Sequence, residues 1–160
     1  PRSFAIGYGG APTNGADDLA ARVTFRHCNF VADVAEGMWQ PGATHLVGEL
    51  DAVLCLSTSK WVHLNFGDAG LRTLFQRAHA CLRVGGKFVL EPQPWASYRK
   101  NAGLTPTILA NYESIRLRPD GFEALLLDEI GFSACEHIAV PYGKQTSEGF
   151  ARRPLWVLTK

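Results

Sequence analysis

Ala52-Val53-Leu54-Cys55-Leu56 is an unbroken apolar run. A strand with apolar residues on both faces is buried on both, as happens inside a parallel sheet covered by helices. The residues that follow support this placement. Asp68 is a good N-cap, and Leu71, Leu74, Phe75, Ala78, Cys81 and Leu82 recur behind it at helical spacing. Gly85-Gly86 stops that pattern in the manner of C-cap glycines, and Lys87 to Glu91 reads as the next strand, ended by Pro92. Strand, helix, strand in this order is a parallel βαβ unit.

The rest of the chain extends the sheet. A second helix is expected over Pro106 to Asn111. A third starts near Asp120, carries Phe122, Leu125 and Leu126, and stops at Gly131. Ser133–Val140 and Leu155–Leu158 read as two more strands, joined by the polar loop Pro141–Pro154. Upstream, Val23 to Cys28 alternates as a strand does and ends at Asn29-Phe30, with a Gly- and Pro-containing loop over Ala35–Thr44. Residues 1–22 are rich in Gly, Ala and Pro and are expected to be a variable, disordered loop or insertion. The pattern is an α/β fold: residues 23–160 form the second half of a Rossmann-like sheet with an antiparallel C-terminal edge. A chain of 160 residues fits one domain.

Composition narrows the function. The net charge is +1, but charge is segregated. Arg72, Arg77, Arg83 and Lys87 have no acid between them, Arg152 and Arg153 stand in the last loop, and the acids gather over Asp120 to Glu136. Such segregation permits a basic face that steers polyanions, with solvated helix and loop surface as the alternative for each cluster. Cys28, Cys55, Cys81 and Cys135 form no C-x-x-C pair and the five histidines no H-x-x-x-H pair, so no metal is expected and a reducing compartment is. No run of about 20 apolar residues marks a membrane span and no signal peptide is evident.

Two strand ends stand out. Lys60-Trp61-Val62-His63-Leu64-Asn65 follows the first apolar strand, and Glu91-Pro92-Gln93-Pro94-Trp95 ends the second. Each places a Trp, an amide and turn-forming residues where ligands bind in open α/β sheets. Two neighbouring loops of this kind predict one site.

These residues carry a family resemblance. Leu54-Cys55-Leu56-Ser57, Lys60 to Asn65 with Gly67-Asp68, Leu82-Arg83 with Gly85-Gly86, Leu90 to Trp95, Gly131-Phe132, and Gly149-Phe150 with Arg153-Pro154 together resemble the Bin3-type RNA methyltransferases, over roughly Val23 to the C-terminus. The resemblance implies a class I methyltransferase fold, S-adenosylmethionine as cofactor, and methylation of the 5′-terminal phosphate of a small non-coding RNA. It places Asn29 and Phe30 at the adenine, and Cys55, Leu56 and Ser57 beside the methionine part of the cofactor. Lys60 falls where cofactor and substrate meet. It also implies a nuclear ribonucleoprotein setting, with a La-related RNA-binding protein as a partner. Lys60 favours the branch acting on the γ-phosphate of a triphosphate end over the branch acting on monophosphates. The first two strands of that fold, with their glycine-rich turn and ribose-binding acid, are missing from these residues. Gly7-Tyr8-Gly9-Gly10 is no substitute, having neither strand before it nor helix after it. The chain is therefore expected to be the C-terminal part of a longer catalytic domain, inactive alone, whose first apolar strand has an open edge.

Methyl transfer to a phosphate oxygen is an in-line displacement by a nucleophile already anionic near neutral pH. It needs alignment and cations rather than a strong general base. Lys60, His63 and Asn65 are the candidates for that work. The alternatives for them are a solvated lysine, a turn-satisfying histidine and an Asx turn. Trp61, Glu91, Gln93, Trp95, Tyr98, Arg152 and Arg153 are candidate RNA contacts. For Trp61 core packing competes, for Glu91 an arginine partner, and for the two arginines a surface loop. Three readings stay open: a γ-phosphate capping enzyme, a monophosphate methyltransferase, and a non-catalytic RNA-binding subunit.

Overall fold

The computed structural model describes residues 23, 29–31, 47–138 and 154–160. The N-terminal stretch 1–22, the loop 35–44, almost all of the strand expected at 23–28, and the loop 141–153 with Arg152 and Arg153 lie outside the described residues. Within them the order is β1 (Leu50–Leu56), α1 (Ser59–Cys81), β2 (Leu82–Glu91), α2 (Ala96–Arg99), α3 (Pro106–Ser114), α4 (Phe122–Ala124), β3 (Ala134–Ile138) and β4 (Leu155–Thr159). The sheet order is β1-β2-β4-β3. β1 and β2 are parallel, while β4 runs antiparallel to both β2 and β3. The α/β class and the antiparallel edge match the sequence expectation.

The helices lie over one face of the sheet. Leu71, Leu74, Phe75 and Ala78 of α1 pack on Phe88 and Leu90 of β2 and on Trp156 and Leu158 of β4, with Phe122, Leu125, Leu126 and Phe132 closing the layer. Each fully buried Phe or Leu contributes about 1.5–3 kcal/mol. A second cluster of Leu64, Tyr98, Ile108 and Ile115 roofs the first turns of α1. Together they hold the carboxyl ends of β1 and β2 between two packed groups of side chains.

β1 departs from expectation. Cys55 faces the core, but Leu54 is 65% and Leu56 47% exposed, so the apolar run is covered on one face only. Among the described residues its outer edge is also unpaired.

α1 begins at Ser59 rather than Asp68, so Lys60 to Asn65 is helix and not a strand-end loop. Its buried positions, Ser59/Lys60, His63/Leu64, Gly67, Gly70/Leu71, Leu74/Phe75, Ala78 and Cys81, keep one helical stripe throughout. The helix breaks at Gly67 (φ 63°, ψ −166°), a region open essentially to glycine alone. Asp68 does not cap the second half, because its carboxylate is turned toward other partners. Gly85-Gly86 does not cap the C-terminus either: α1 ends at Cys81, where Leu82 turns extended. The glycines instead serve the bulge between the Leu50–Leu82 and Ala52–Lys87 pairs. A Cβ on Gly86 would lie 2.8 Å from the Arg83 carbonyl oxygen and 3.0 Å from that of Leu50.

The expected third helix is composite: a 3-10 turn over Pro119–Gly121, the α-helical turn α4, and a π-helical stretch over Leu125–Ile130, closed by Gly131. The second helix extends to Ser114, and Thr105 caps it by accepting a hydrogen bond from the Ile108 amide at 3.1 Å.

Candidate functional site

The two unusual strand ends meet as a braced pair of loops. Ser57 sits at the end of β1 with φ 55°, a conformation that costs a non-glycine residue about 1–3 kcal/mol. Its hydroxyl donates to the Glu91 carboxylate at the end of β2, at 2.9 Å. Gln93, 3% exposed, spans the same gap. Its amide donates to the Ser57 carbonyl at 2.7 Å, and its carbonyl oxygen accepts from the Lys60 backbone N–H at 3.3 Å and the Ser59 hydroxyl at 3.5 Å. The first N–H groups of a helix have no partner within it. Thr58 at the N-cap does not provide one, since its hydroxyl is bonded to the Leu56 carbonyl at 2.9 Å. Gln93 therefore caps α1 from another strand. Sequence reasoning assigned Gln93 and Glu91 to RNA; in the structure their side chains join one loop to the other.

Lys60 lies on the buried side of the first turn, 9% exposed. Its ammonium donates to the Asn101 side-chain oxygen at 3.1 Å and stands 4.8 Å from the centre of the Trp61 ring. Trp61 is partly exposed on the neighbouring face. Asn65 is on that same outer face, where its amide donates to the Trp61 carbonyl at 2.8 Å, an internal bond of the helix.

His63 is fully buried. Its Nε2 lies 2.7 Å from Asp68 and its Nδ1 3.4 Å from the Tyr98 hydroxyl. As a neutral imidazole it donates to the carboxylate and accepts from the phenol. Burial lowers its pKa, against the opposing hydrogen bond and charge of Asp68. Burial pushes the Asp68 carboxyl up, but hydrogen bonds from His63 and from the Arg116 and Leu117 amides outweigh it, and the net shift is down. Those amides reach the second Asp68 oxygen at 3.0 and 3.2 Å. The Leu64 carbonyl, next to the break at Gly67, accepts from the Asn111 amide at 3.0 Å. The kink is thus tied to the end of α3 and the segment after it, and His63 is part of that tie.

Trp95 is stacked on Tyr112 at 5.0 Å, tilted against Tyr98 at 4.9 Å, and covered by the Arg118 guanidinium at 4.9 Å. Tyr98 is fully buried, and its pKa is raised by that burial. Neither ring is presented as an open platform. The concave surface beside them is a shallow groove lined by Pro92, Gln93, Pro94, Pro119, Asp120, Pro154 and Trp156. Asn101, Arg118 and the Asp68–Arg116 contact were not foreseen.

Of the expected cofactor residues, Cys55, Leu56, Ser57 and Lys60 come together at the end of β1. Burial pushes the Cys55 thiol up to about 11, partly opposed by a backbone hydrogen bond involving Ser59, so it stays protonated at neutral pH. Asn29 and Phe30 do not join them. Asn29 closes a local turn with the Val31 amide at 3.1 Å, and the Phe30 carbonyl accepts from Arg77 at 2.6 Å. Arg77 is in the last turns of α1, at the opposite end of the sheet from Ser57. Phe30 is drawn there by this bond and by packing on the core.

A chain with this braced α/β site can be compared with known proteins. The family model described as Bicoid-interacting protein 3 (Bin3) matches residues 50–160. The chain belongs to the Bin3 family. The 7SK snRNA methylphosphate capping enzyme of Homo sapiens is 50% identical over 113 residues, 70% of this chain and 16% of that protein. A probable RNA methyltransferase of Arabidopsis thaliana is 40% identical over 157 residues, 96% of this chain and 46% of that protein. The pre-miRNA 5′-monophosphate methyltransferase of Xenopus laevis is 43% identical over 53 residues, 32% of this chain and 19% of that protein. The chain spans less than half the length of each of these relatives. The Bin3 match covers β1 to β4 and so contains both strand ends and the whole brace. Class I methyltransferase architecture follows from the family and fits the parallel β1–β2 pair with its antiparallel β4 edge.

Proposed function

We propose that this chain is the C-terminal part of an S-adenosylmethionine-dependent RNA methyltransferase that modifies the γ-phosphate of a 5′-triphosphate end. The observation that carries the reading is Lys60, an ammonium fixed by Asn101 and Trp61 at the ends of two strands that a buried glutamine locks together. A multiply charged phosphate end needs such a cation, held where it aligns the attacking oxygen without moving with it. The longer, closer likeness to a methylphosphate capping enzyme supports the triphosphate branch. The monophosphate branch rests on a likeness over a third of the chain.

The described residues fit part of such a cofactor. Leu56 offers exposed apolar surface, and Cys55 to Ser57 turn sharply at the strand end, which suits the methionine portion. The Asn29-Phe30 pair, held at Arg77, does not fit the adenine in this arrangement. When bound, the cofactor supplies a sulfonium methyl to a phosphate oxygen. The chain's own residues orient that oxygen: Lys60 neutralises phosphate charge, Ser57 and Glu91 fix the strand-end turns, and His63-Asp68 holds the kinked helix that carries Lys60. The full-length enzyme would supply the strands that pair with the β1 edge. It would work on a small non-coding RNA in a nuclear ribonucleoprotein, with a La-related protein beside it.

The test uses the full-length protein, labelled S-adenosylmethionine and one short RNA bearing a 5′ triphosphate, monophosphate or hydroxyl end. Transfer to the triphosphate alone is expected. Preference for the monophosphate refutes the γ-phosphate assignment, and RNA binding without transfer to any end refutes the enzyme.

A further inference from the structure

The strand pair farthest from β1 carries a second cluster that methyl transfer does not use. Cys135 and His137 are two apart on β3, so their side chains project from the same face of the sheet. Glu123 of α4 packs against that face. One ligand atom from each, a sulfur, an imidazole nitrogen and a carboxylate oxygen, lies within 4.8 Å of the other two. The histidine Nε2 is 3.0 Å from the Glu123 carboxylate. We propose that Glu123, Cys135 and His137 form a zinc site that pins the edge strand β3 to α4.

Donor chemistry selects the ion. Thiolate, imidazole and carboxylate together are a borderline-soft set that suits zinc and excludes calcium and magnesium, which take oxygen. Tetrahedral zinc bonds place neighbouring donor atoms roughly 3.3–3.8 Å apart. The trio's ligand atoms, all within 4.8 Å of one another, are already near that spacing. Two of the donors are already oriented. The His137 ring is stacked on Trp156 at 4.9 Å with an interplanar angle of 9°, which fixes the plane in which Nε2 points at Glu123. Cys135 is half buried against the main core and paired with Leu158 across the ladder. Orientation by such neighbours is what holds metal ligands in place. His137 and Glu123 are partly exposed, which leaves the outer side open to a fourth ligand from solvent. The sequence expectation of no metal looked for C-x-x-C and H-x-x-x-H spacing. A C-x-H pair on a strand, completed by a helix residue twelve positions earlier, matches neither pattern.

The test is titration of chelator-treated protein with Zn²⁺ by calorimetry and with Co²⁺ by absorption. One equivalent of zinc is expected, and cobalt is expected to give tetrahedral d–d bands with a thiolate charge-transfer band. Cys135→Ala should abolish the charge-transfer band. Glu123→Gln and His137→Phe should weaken zinc by more than the roughly 10–100-fold that follows loss of an outer-shell partner. His137→Phe keeps an aromatic ring on Trp156, so its loss of binding would not be a packing effect. Thermal unfolding of each metal-free variant checks that it is folded. Absence of stoichiometric zinc binding overturns the proposal. So does a charge-transfer band that survives in folded Cys135→Ala, since the thiolate would then come from elsewhere.

Discussion

Gln93→Ala separates a brace from an RNA contact. In the structure Gln93 is buried and its amide serves both strand ends. Truncation removes the Gln93 bonds to the Ser57 carbonyl and the Lys60 N–H. An unsatisfied buried polar group costs about 1–3 kcal/mol, and loss of a helix cap alone about 1 kcal/mol. The 2.7 Å contact to Ser57 belongs at the upper end of that range. The 3.3 Å contact to Lys60 is longer and belongs at the lower end. Together they predict a loss of roughly 2–4 kcal/mol in unfolding free energy, measured by urea denaturation. Gln93→Glu should cost at least as much, because it turns the one donor into an oxygen facing the Ser57 carbonyl. RNA affinity should fall only as far as the folded fraction does. A stability change below about 0.5 kcal/mol, the size of an ordinary surface substitution, combined with a tenfold loss of RNA affinity, would refute the brace. Gln93 would then contact substrate.

Four further outcomes follow from the same geometry. Lys60→Met should lower methyl transfer to triphosphate RNA at least tenfold while leaving the unfolding midpoint within about 1 kcal/mol of wild type, read by single-turnover transfer and urea melts. Gly67→Ala should cost about 1–3 kcal/mol from backbone strain alone, because its new Cβ meets nothing closer than Asn111 Oδ1 at 3.9 Å. The His63 pKa is lowered by burial, so the unfolded chain binds more protons below about 6.5 and stability falls as the pH drops through that value. Asp68, also lowered, adds loss only as the pH falls through the ordinary carboxylate range and below it. His63→Asn should flatten the limb between pH 7.5 and 5.5 in thermal melts, leaving the share of His79, which burial shifts the same way. Leu54→Glu should barely alter this chain, where the residue is exposed, yet destabilise the full-length protein by more than 1 kcal/mol if further structure covers that face of β1.

Much of the fold was legible because apolar spacing reports it directly. Ala52–Leu56, Lys87–Glu91 and Leu155–Leu158 announce strands, and Leu71 to Leu82 a helix, through side chains that have nowhere to go but a core. The first half of α1 was not legible for the same reason. Its buried stripe is Ser59, Lys60, His63, Leu64 and Gly67, and all but Leu64 are residues that hydropathy does not assign to a core. The polar side chains are buried because each has a specific partner: Gln93 for Ser59, Asn101 for Lys60, and Asp68 with Tyr98 for His63. Apart from Asp68, these partners are distant in sequence and leave no local signal. The two-sided burial expected for β1 failed for another reason. An apolar run states that both faces want cover, not which residues provide it.

The braced loops also explain why so many conspicuous residues are turned inward. Glu91, Gln93, Trp95, Tyr98 and His63 are the residue types that would bind RNA if exposed, yet each is engaged with its own chain. For the proposed methyl transfer, which aligns an oxygen, a carbon and a sulfur, rigid surroundings are worth more than extra contacts, since misplacement by about 1 Å can cost 100-fold. Ser57 in its left-handed conformation is the cost of that rigidity, and the Glu91 and Gln93 bonds offset it. On this view the catalytic groups are few and their supports many. Conservative changes in the supports, such as Glu91→Gln or Asn101→Asp, should therefore lower turnover more than they lower RNA affinity. A loss of affinity with turnover of bound RNA intact would instead make these residues direct contacts.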